Sequence, residues 1–397
     1  MTSNKTSSYI FLLISAFLSA FVLGSFQFYM LEYLVGQHGA SSRDWLIQTV
    51  SAIITIGPVI VYVVSAPLAA AIRKSRVMAF SLWFGMIVLL IGGLTNWIGS
   101  PFLYLAFVGL TLGVYSAGKM ASVPLASITI GKSTALTNAI MSVVFLFGIL
   151  SGLPSGTMLY NHFPEHAFWI FLIGLGFAGV CGLMCKFSCE QTSSFVKEEK
   201  KLFSETKSLY KKYALLLLSS PMLWGIAGAA NMAIAALVVR EKLATPQMAA
   251  FIPLWAALGV IAGTLISPIF NNYKYKAAAL SGLLMLIIIP FFPLTSFSYL
   301  VITLTTVTMA FFFGIATNLI DSSFLELVGN EKKEGTGAAL QSAMLALFTV
   351  IIGSGVGLSL KNNIIPPNAQ FIVLSAITVI PVILSIILVK QNNLLAK

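Results

Sequence analysis

The chain has 397 residues, 58% of them hydrophobic and only 9% charged, and its mean hydropathy is +0.95. No soluble domain hides that much apolar surface from water, so the composition excludes one and points to an integral membrane protein. The net charge of +11, which would suggest a nucleic-acid partner in a soluble protein, is read here as membrane orientation, and no nucleic acid is expected.

Apolar blocks of about 18–25 residues follow one another along the chain, each enough to cross a ~30 Å hydrocarbon core at 1.5 Å per helical residue. Barrel strands would be ~10 residues long with strict alternation, so the fold class is an all-α membrane protein. Lys5 gives a short basic start. The apolar run from Tyr9 continues past Phe28, too long for a cleaved signal, so it counts as the first span. The first half reads as spans Tyr9–Leu34, Trp45–Ile72, Val77–Trp97, Phe102–Val123, Ala135–Tyr160 and Ala167–Phe187. The second half reads as Tyr213–Val239, Met248–Phe270, Ala277–Phe292, Tyr299–Phe324, Gly337–Leu360 and Phe371–Val389. That makes twelve transmembrane helices in two six-helix bundles.

Between the halves, Glu190–Lys212 carries ten charges in 23 residues, six of them Lys. It reads as a solvated cytoplasmic linker, which gives three parts: a first bundle over 1–189, a linker over 190–212 and a second bundle over 213–397. Basic residues test this topology. With both termini cytoplasmic, that side receives Lys5, Arg73, Lys74, Arg76, Lys132, the seven lysines from Lys186 to Lys212, Lys274, Lys276, Lys332, Lys333, Lys390 and Lys397. The outside receives only Arg43, Arg240, Lys242 and Lys361, and Lys119 is left within a span. The asymmetry is the positive-inside pattern and agrees with an even number of crossings.

The halves echo one another, as parallel repeats do in transporters. Ser65–Phe80 has a small-residue stretch, a basic turn and the next helix, and Ile266–Leu280 repeats this about 200 residues later. Pro67 answers Pro268, and the Arg73–Arg76 turn answers Lys274–Lys276. The glycines of Gly148–Gly156 answer those of Gly353–Gly357, and both sets are expected to let helix backbones approach closely. Cys181, Cys185 and Cys189 fall at i, i+4, i+8 on one expected helix, too close for a disulfide framework, and read as small interior residues. The tract His162–His166 is expected in an outside loop with no third ligand near it. No metal and no cofactor are expected. No nucleophile–base pair, phosphate-cradling loop or paired carboxylates appear in a span, so the chain reads as no enzyme.

The whole pattern resembles the major facilitator superfamily, which has twelve helices, a charged central loop and a basic turn between the second and third helices. Of the usual signature of that turn Leu68, Arg73 and Arg76 are present, whereas its Asp and glycines are not. Phe107–Lys119, F-V-G-L-T-L-G-V-Y-S-A-G-K, is further similar to the bacterial lysophospholipid transporters (LplT-type), which carry a Y-S-P-A-K tract after a small-residue helix. Phe17–Phe21, Ala66–Phe80, Ser100–Leu103, Thr137–Ala139 and Phe312, Phe313 with Asn318 agree in order. Val22, Leu23, Gly24, Asn231, Ala338, Met344 and Leu347 stand where that family has polar or charged groups.

The resemblance implies passage of a lysophospholipid, such as lyso-phosphatidylethanolamine, from the outer to the inner leaflet of a bacterial inner membrane. It also implies an acyltransferase as functional partner and a monomeric carrier. Lys119 either faces a cavity and holds a lipid phosphate, or snorkels from its helix end to the headgroups. Tyr115, one turn earlier on the same face, either donates to that phosphate or packs. Glu32 either pairs with a cation or amine headgroup, or is an interfacial carboxylate beside Tyr29 and Tyr33. Asn318 is a headgroup candidate, and Asp321, one turn on, a gating candidate with Arg73 and Arg76. Asn138 and Asn231 are further binding candidates, with helix–helix hydrogen bonding as their bland alternative. The competing function is a proton-coupled exporter of hydrophobic drugs or small metabolites, favoured by the antiporter-like glycines around Pro154. A non-transporting scaffold or sensor is the third class.

Overall fold

The computed structural model describes residues 3–95, 97, 100–132, 134–187, 195–295, 298–331 and 333–395. Cys189, Lys332, Lys397 and linker residues 190–194 lie outside the described residues, as do both expected linker-start boundaries. The described chain is helical, with no strand among the described residues. The first half comprises α1 (Ser3–His38), α2 (Arg43–Thr55), α3 (Gly57–Ile60), α4 (Tyr62–Ala71), α5 (Lys74–Leu94), α6 (Pro101–Ile130), α7 (Thr134–His162) and α8 (Pro164–Met184). After it come α9 (Phe195–Arg240), α10 (Pro246–Ala249), α11 (Ile252–Ile266), α12 (Lys274–Ile288), α13 (Tyr299–Asn330), α14 (Glu334–Lys361) and α15 (Ala369–Leu395).

Ten stretches of the described residues are long and apolar enough to cross a membrane, or eleven if the bent pair Ala40–Ile60 and Tyr62–Ala69 is one span. One of the ten, Pro246–Leu294, is 49 residues long and holds both the expected eighth and ninth spans, with 3-10 turns over Ser267–Tyr273 between α11 and α12. The expected second span is no single rod. It breaks at Ile56 and Val61 around Pro58 and bends by 55°, because proline removes a backbone donor and its ring crowds the preceding turn. Pro67 is accommodated inside α4, whereas its counterpart Pro268 opens the 3-10 segment.

Two other expectations are corrected and a third gains detail. The expected linker is helical from Phe195 and runs on as α9 through Tyr213, where one residue leaves helical geometry (φ −122°, ψ 22°). Its Leu202 and Leu209 are buried. The helix carrying the cysteines ends at Met184, so Cys185 lies past it; both Cys181 and Cys185 are buried and free. The His162–His166 tract is no loop, since His162 ends α7 and Pro164 begins α8.

The chain packs into two compact units. One contains Met1–Tyr33, Ile53–Lys212 and Leu325–Leu347, and the other Leu34–Ala52, Tyr213–Phe324 and Phe348–Lys397. In the first unit, glycines let helices meet backbone to backbone. A Cβ on Gly57 of α3 would lie 1.8 Å from the Gly109 carbonyl oxygen of α6, and one on Gly113 would lie 2.6 Å from the Pro58 nitrogen. Gly148, Gly152 and Gly156 of α7 press equally close on the carbonyls of Phe17, Phe21 and Ser25 in α1. The second unit repeats the first device, with Gly259 and Gly263 of α11 against α13 and Gly314 of α13 against α11. The expected echo at Gly353–Gly357 is looser: an added Cβ on Gly357 would lie 3.3 Å from Gln48 and Thr49, one on Gly353 would come no nearer than 3.7 Å to Ala52 and Gln48, and one on Gly355 would meet open space. The tight approach to α14 is made instead by Gly225 of α9, whose Cβ would lie 2.8 Å from the Phe348 carbonyl.

The second unit also holds an ion pair: the Arg240 guanidinium donates to Asp44 at 2.7 Å and to Asn368 at 2.6 Å. Both charged side chains are about a quarter exposed or less. A double-mutant cycle with Asp44→Asn and Arg240→Gln, read by thermal unfolding in detergent, should give a coupling of about 1 kcal/mol that shrinks in 1 M salt.

Candidate functional site

α6 is the best-placed helix to carry a charge inward. Glycines at 109 and 113 seat it against α3, and Gly118 lies within 3.2 Å (as an added Cβ) of Val77 and Met78 in α5. It runs 30 residues, about 45 Å, before Gly131 ends it in the left-handed conformation (φ 66°). The extent matters for Lys119, which sits 11 residues from Ile130 rather than at the helix end. Its side chain therefore leaves the helix about 16 Å before that end. The side chain is 5% exposed, and its ammonium lies 3.3 Å from the centre of the Phe145 ring on α7. That contact is a cation–π interaction, favourable because the ring face is electronegative and the site is desolvated. Among the described residues no carboxylate pairs with Lys119. A buried cation stabilised only by a ring face retains capacity for an anion.

Tyr115 is fully enclosed at 1% exposure, and its hydroxyl lies 3.3 Å from the Ser15 hydroxyl of α1. One position on, the hydroxyls of Ser116 and Ser342 meet at 3.1 Å, joining α6 to α14 within the first unit. Asn138 on α7 is 4% exposed, and its carbonyl oxygen has no hydrogen-bond partner. Buried amide oxygens are rarely left so, and an unpaired one is available to a ligand donor or a water. Glu32 is 7% exposed, and α1 continues beyond it to His38. Arg73 and Arg76 are exposed at the short turn between α4 and α5. Lys119, Tyr115, Asn138, Glu32, Arg73 and Arg76 thus share the first unit.

The second unit holds the other three candidates. Asn318 donates to the Ser267 hydroxyl at 2.7 Å, an arrangement that tethers α13 to the 3-10 turn after α11. Asp321, one turn on, receives the Trp224 indole N–H at 3.5 Å. The same indole packs edge-on against Phe313 with ring centres 4.6 Å apart. The Asn231 side-chain oxygen is buried with no partner. Sequence reading passed over Gln48, which is 1% exposed and donates to the Ala229 carbonyl at 2.9 Å. It also passed over Phe145, Ser15 and Ser342. Each of these is recognisable only through a contact across helices, although a Gln inside an expected span was a visible signal.

A family model described as "Major Facilitator Superfamily" matches residues 12–360. Among solved structures, the human organic anion transporter MFSD10 (TETRAN) is similar with a TM-score of 0.66 at 15% identity, over 96% of this chain and 99% of that one. A point mutant of the nucleoside transporter NupG is similar with a TM-score of 0.63 at 12% identity, again over 96% and 99%. At these identities the likeness is one of fold. None of the curated proteins matches the sequence.

Proposed function

Because the chain belongs to the major facilitator superfamily, we propose that it is a secondary transporter, not an enzyme, whose cargo is an amphipathic molecule with a phosphate. The finer reading is inward translocation of lysophospholipids of the lyso-phosphatidylethanolamine type in a bacterial inner membrane, supplying a cytoplasmic-side acyltransferase. In this reading twelve crossings form two six-helix bundles, 1–189 and 213–397, with both termini on the linker side.

The carrying observation is Lys119, buried at 5% exposure against Phe145 with no described acidic partner. An ammonium so placed suits one phosphate as a point charge, and Asn138, one helix away with an unmet oxygen, supplies an acceptor for a headgroup amine. Tyr115 lines the same helix face, while Asn318, Asn231 and Glu32 remain binding candidates and Arg73, Arg76 and Asp321 gating candidates. The test is uptake of labelled lyso-phosphatidylethanolamine into spheroplasts. Uptake above that of cells lacking the protein is expected, and none would remove the lysophospholipid reading.

A second reading, proton-coupled export of hydrophobic compounds, is favoured by the glycine-spaced seam of α7 on α1 at Gly148, Gly152 and Gly156. It needs a buried acid, and Glu32 at 7% exposure is the group it would use. Efflux that collapses with the proton gradient and is lost on Glu32→Gln would select it, whereas lysophospholipid uptake unaffected by Glu32→Gln would exclude that residue from coupling.

A further inference from the structure

We propose that the outward flank of the linker helix, within Leu202–Lys212 of α9, is a docking surface for anionic phospholipid headgroups of the bilayer that holds the protein. This segment has distinct faces. Leu202 and Leu209, seven residues apart, are 2% and 0% exposed, and Leu202 packs with Ala66, Ala69, Ala117, Ala121 and Ala339. Beside them Thr206 meets the Tyr62 hydroxyl at 2.5 Å, and Glu205 accepts from Thr336 at 2.7 Å. That face is occupied by the protein itself.

At about 100° per residue, Phe203 and Tyr210 fall on a second face roughly a quarter-turn away, again seven residues apart. They are 70% and 44% exposed. Lys207 and Lys211, both exposed, follow on the same side. The one acid of the segment, Glu205, is turned to Thr336, and Lys212 is paired with Glu331, so among the described residues of this segment the exposed charges on the flank are positive and lie beside aromatic rings. An aromatic residue that is 70% exposed is poorly placed in water, but beside a lipid bilayer it sits at the headgroup–acyl boundary while neighbouring lysines reach the phosphates. Charge complementarity selects anionic over zwitterionic lipid. The inference rests on the chain spanning a membrane and is independent of the cargo.

The experiment uses the full chain with Phe203→Trp in nanodiscs of mixed phosphatidylcholine and phosphatidylglycerol at one fixed ratio, with bromine on only one lipid at a time. After subtraction of the native tryptophan signal, quenching should be at least twofold stronger when phosphatidylglycerol carries the bromine. Lys207→Ser with Lys211→Ser should make the two arms equal. Tyr210→Trp, at the second exposed ring, should report the same preference. Absence of quenching in both arms, as for a flank facing water or another protein, would overturn the proposal. Equal quenching with both lysines in place would overturn it too.

Discussion

Methionine in place of Lys119 should abolish lysophospholipid uptake and leave the protein at least as stable as the native chain. The stability half follows from burial. A lysine within a span costs about 2.5–3.5 kcal/mol on insertion scales, the observed offset is one ring face 3.3 Å away, and methionine keeps most of the apolar stem. The transport half follows from pairing. Truncating one partner of a buried charge pair costs about 2–5 kcal/mol, which weakens cargo binding by about 30-fold or more. Uptake and thermal unfolding measured on the same preparation separate the outcomes. A fall in melting temperature together with lost uptake would make Lys119 structural, and normal uptake would remove it from the site.

The second large effect is expected at Gly57. A Cβ there would sit 1.8 Å from the Gly109 carbonyl oxygen, and backbone cannot move aside as a side chain can. Gly57→Val should therefore separate α3 from α6 and destabilise by at least the 1–3 kcal/mol typical of overpacking, lowering the yield of monodisperse protein in fluorescence-detected gel filtration. Gly228→Ala is the control: it lies within α9 with nothing inside 4 Å of the added carbon, and alanine favours the helix. That variant should elute like the native chain. Equal behaviour of the two would show that the contact of α3 with α6 is not tight.

Much of the helical architecture is written in block length, since an apolar run of twenty residues has few other folds available in a bilayer. The ends of the spans were less legible. The expected fourth span stops at Val123, but α6 continues past Pro124 to Ile130, so Lys119 is well inside the helix. The helix in the linker was harder to see. Its ten charges point to solvation, and the two buried leucines, Leu202 and Leu209, lie seven residues apart, a helical spacing hidden by the lysines around them. Individual site residues were partly visible: Lys119 stands out as a cation among apolar neighbours. Its ring partner does not, because nothing local distinguishes Phe145 from the other 28 phenylalanines. Packing between distant helices chose it. The repeat was legible at the Arg73 and Lys274 turns and looser at Gly353–Gly357, where spacing alone does not say how near the partner helix lies.

The glycine seam between α3 and α6 has a mechanical corollary. Where Gly57 meets Gly109, and Gly113 meets Pro58, the surfaces in contact are peptide planes, with no rotamers to absorb a small displacement. Lys119 is six residues beyond Gly113, about 9 Å along the same helix, so the cation is carried on the helix whose position this backbone-to-backbone joint sets, and its place is fixed by the Pro58 elbow as much as by its own neighbours.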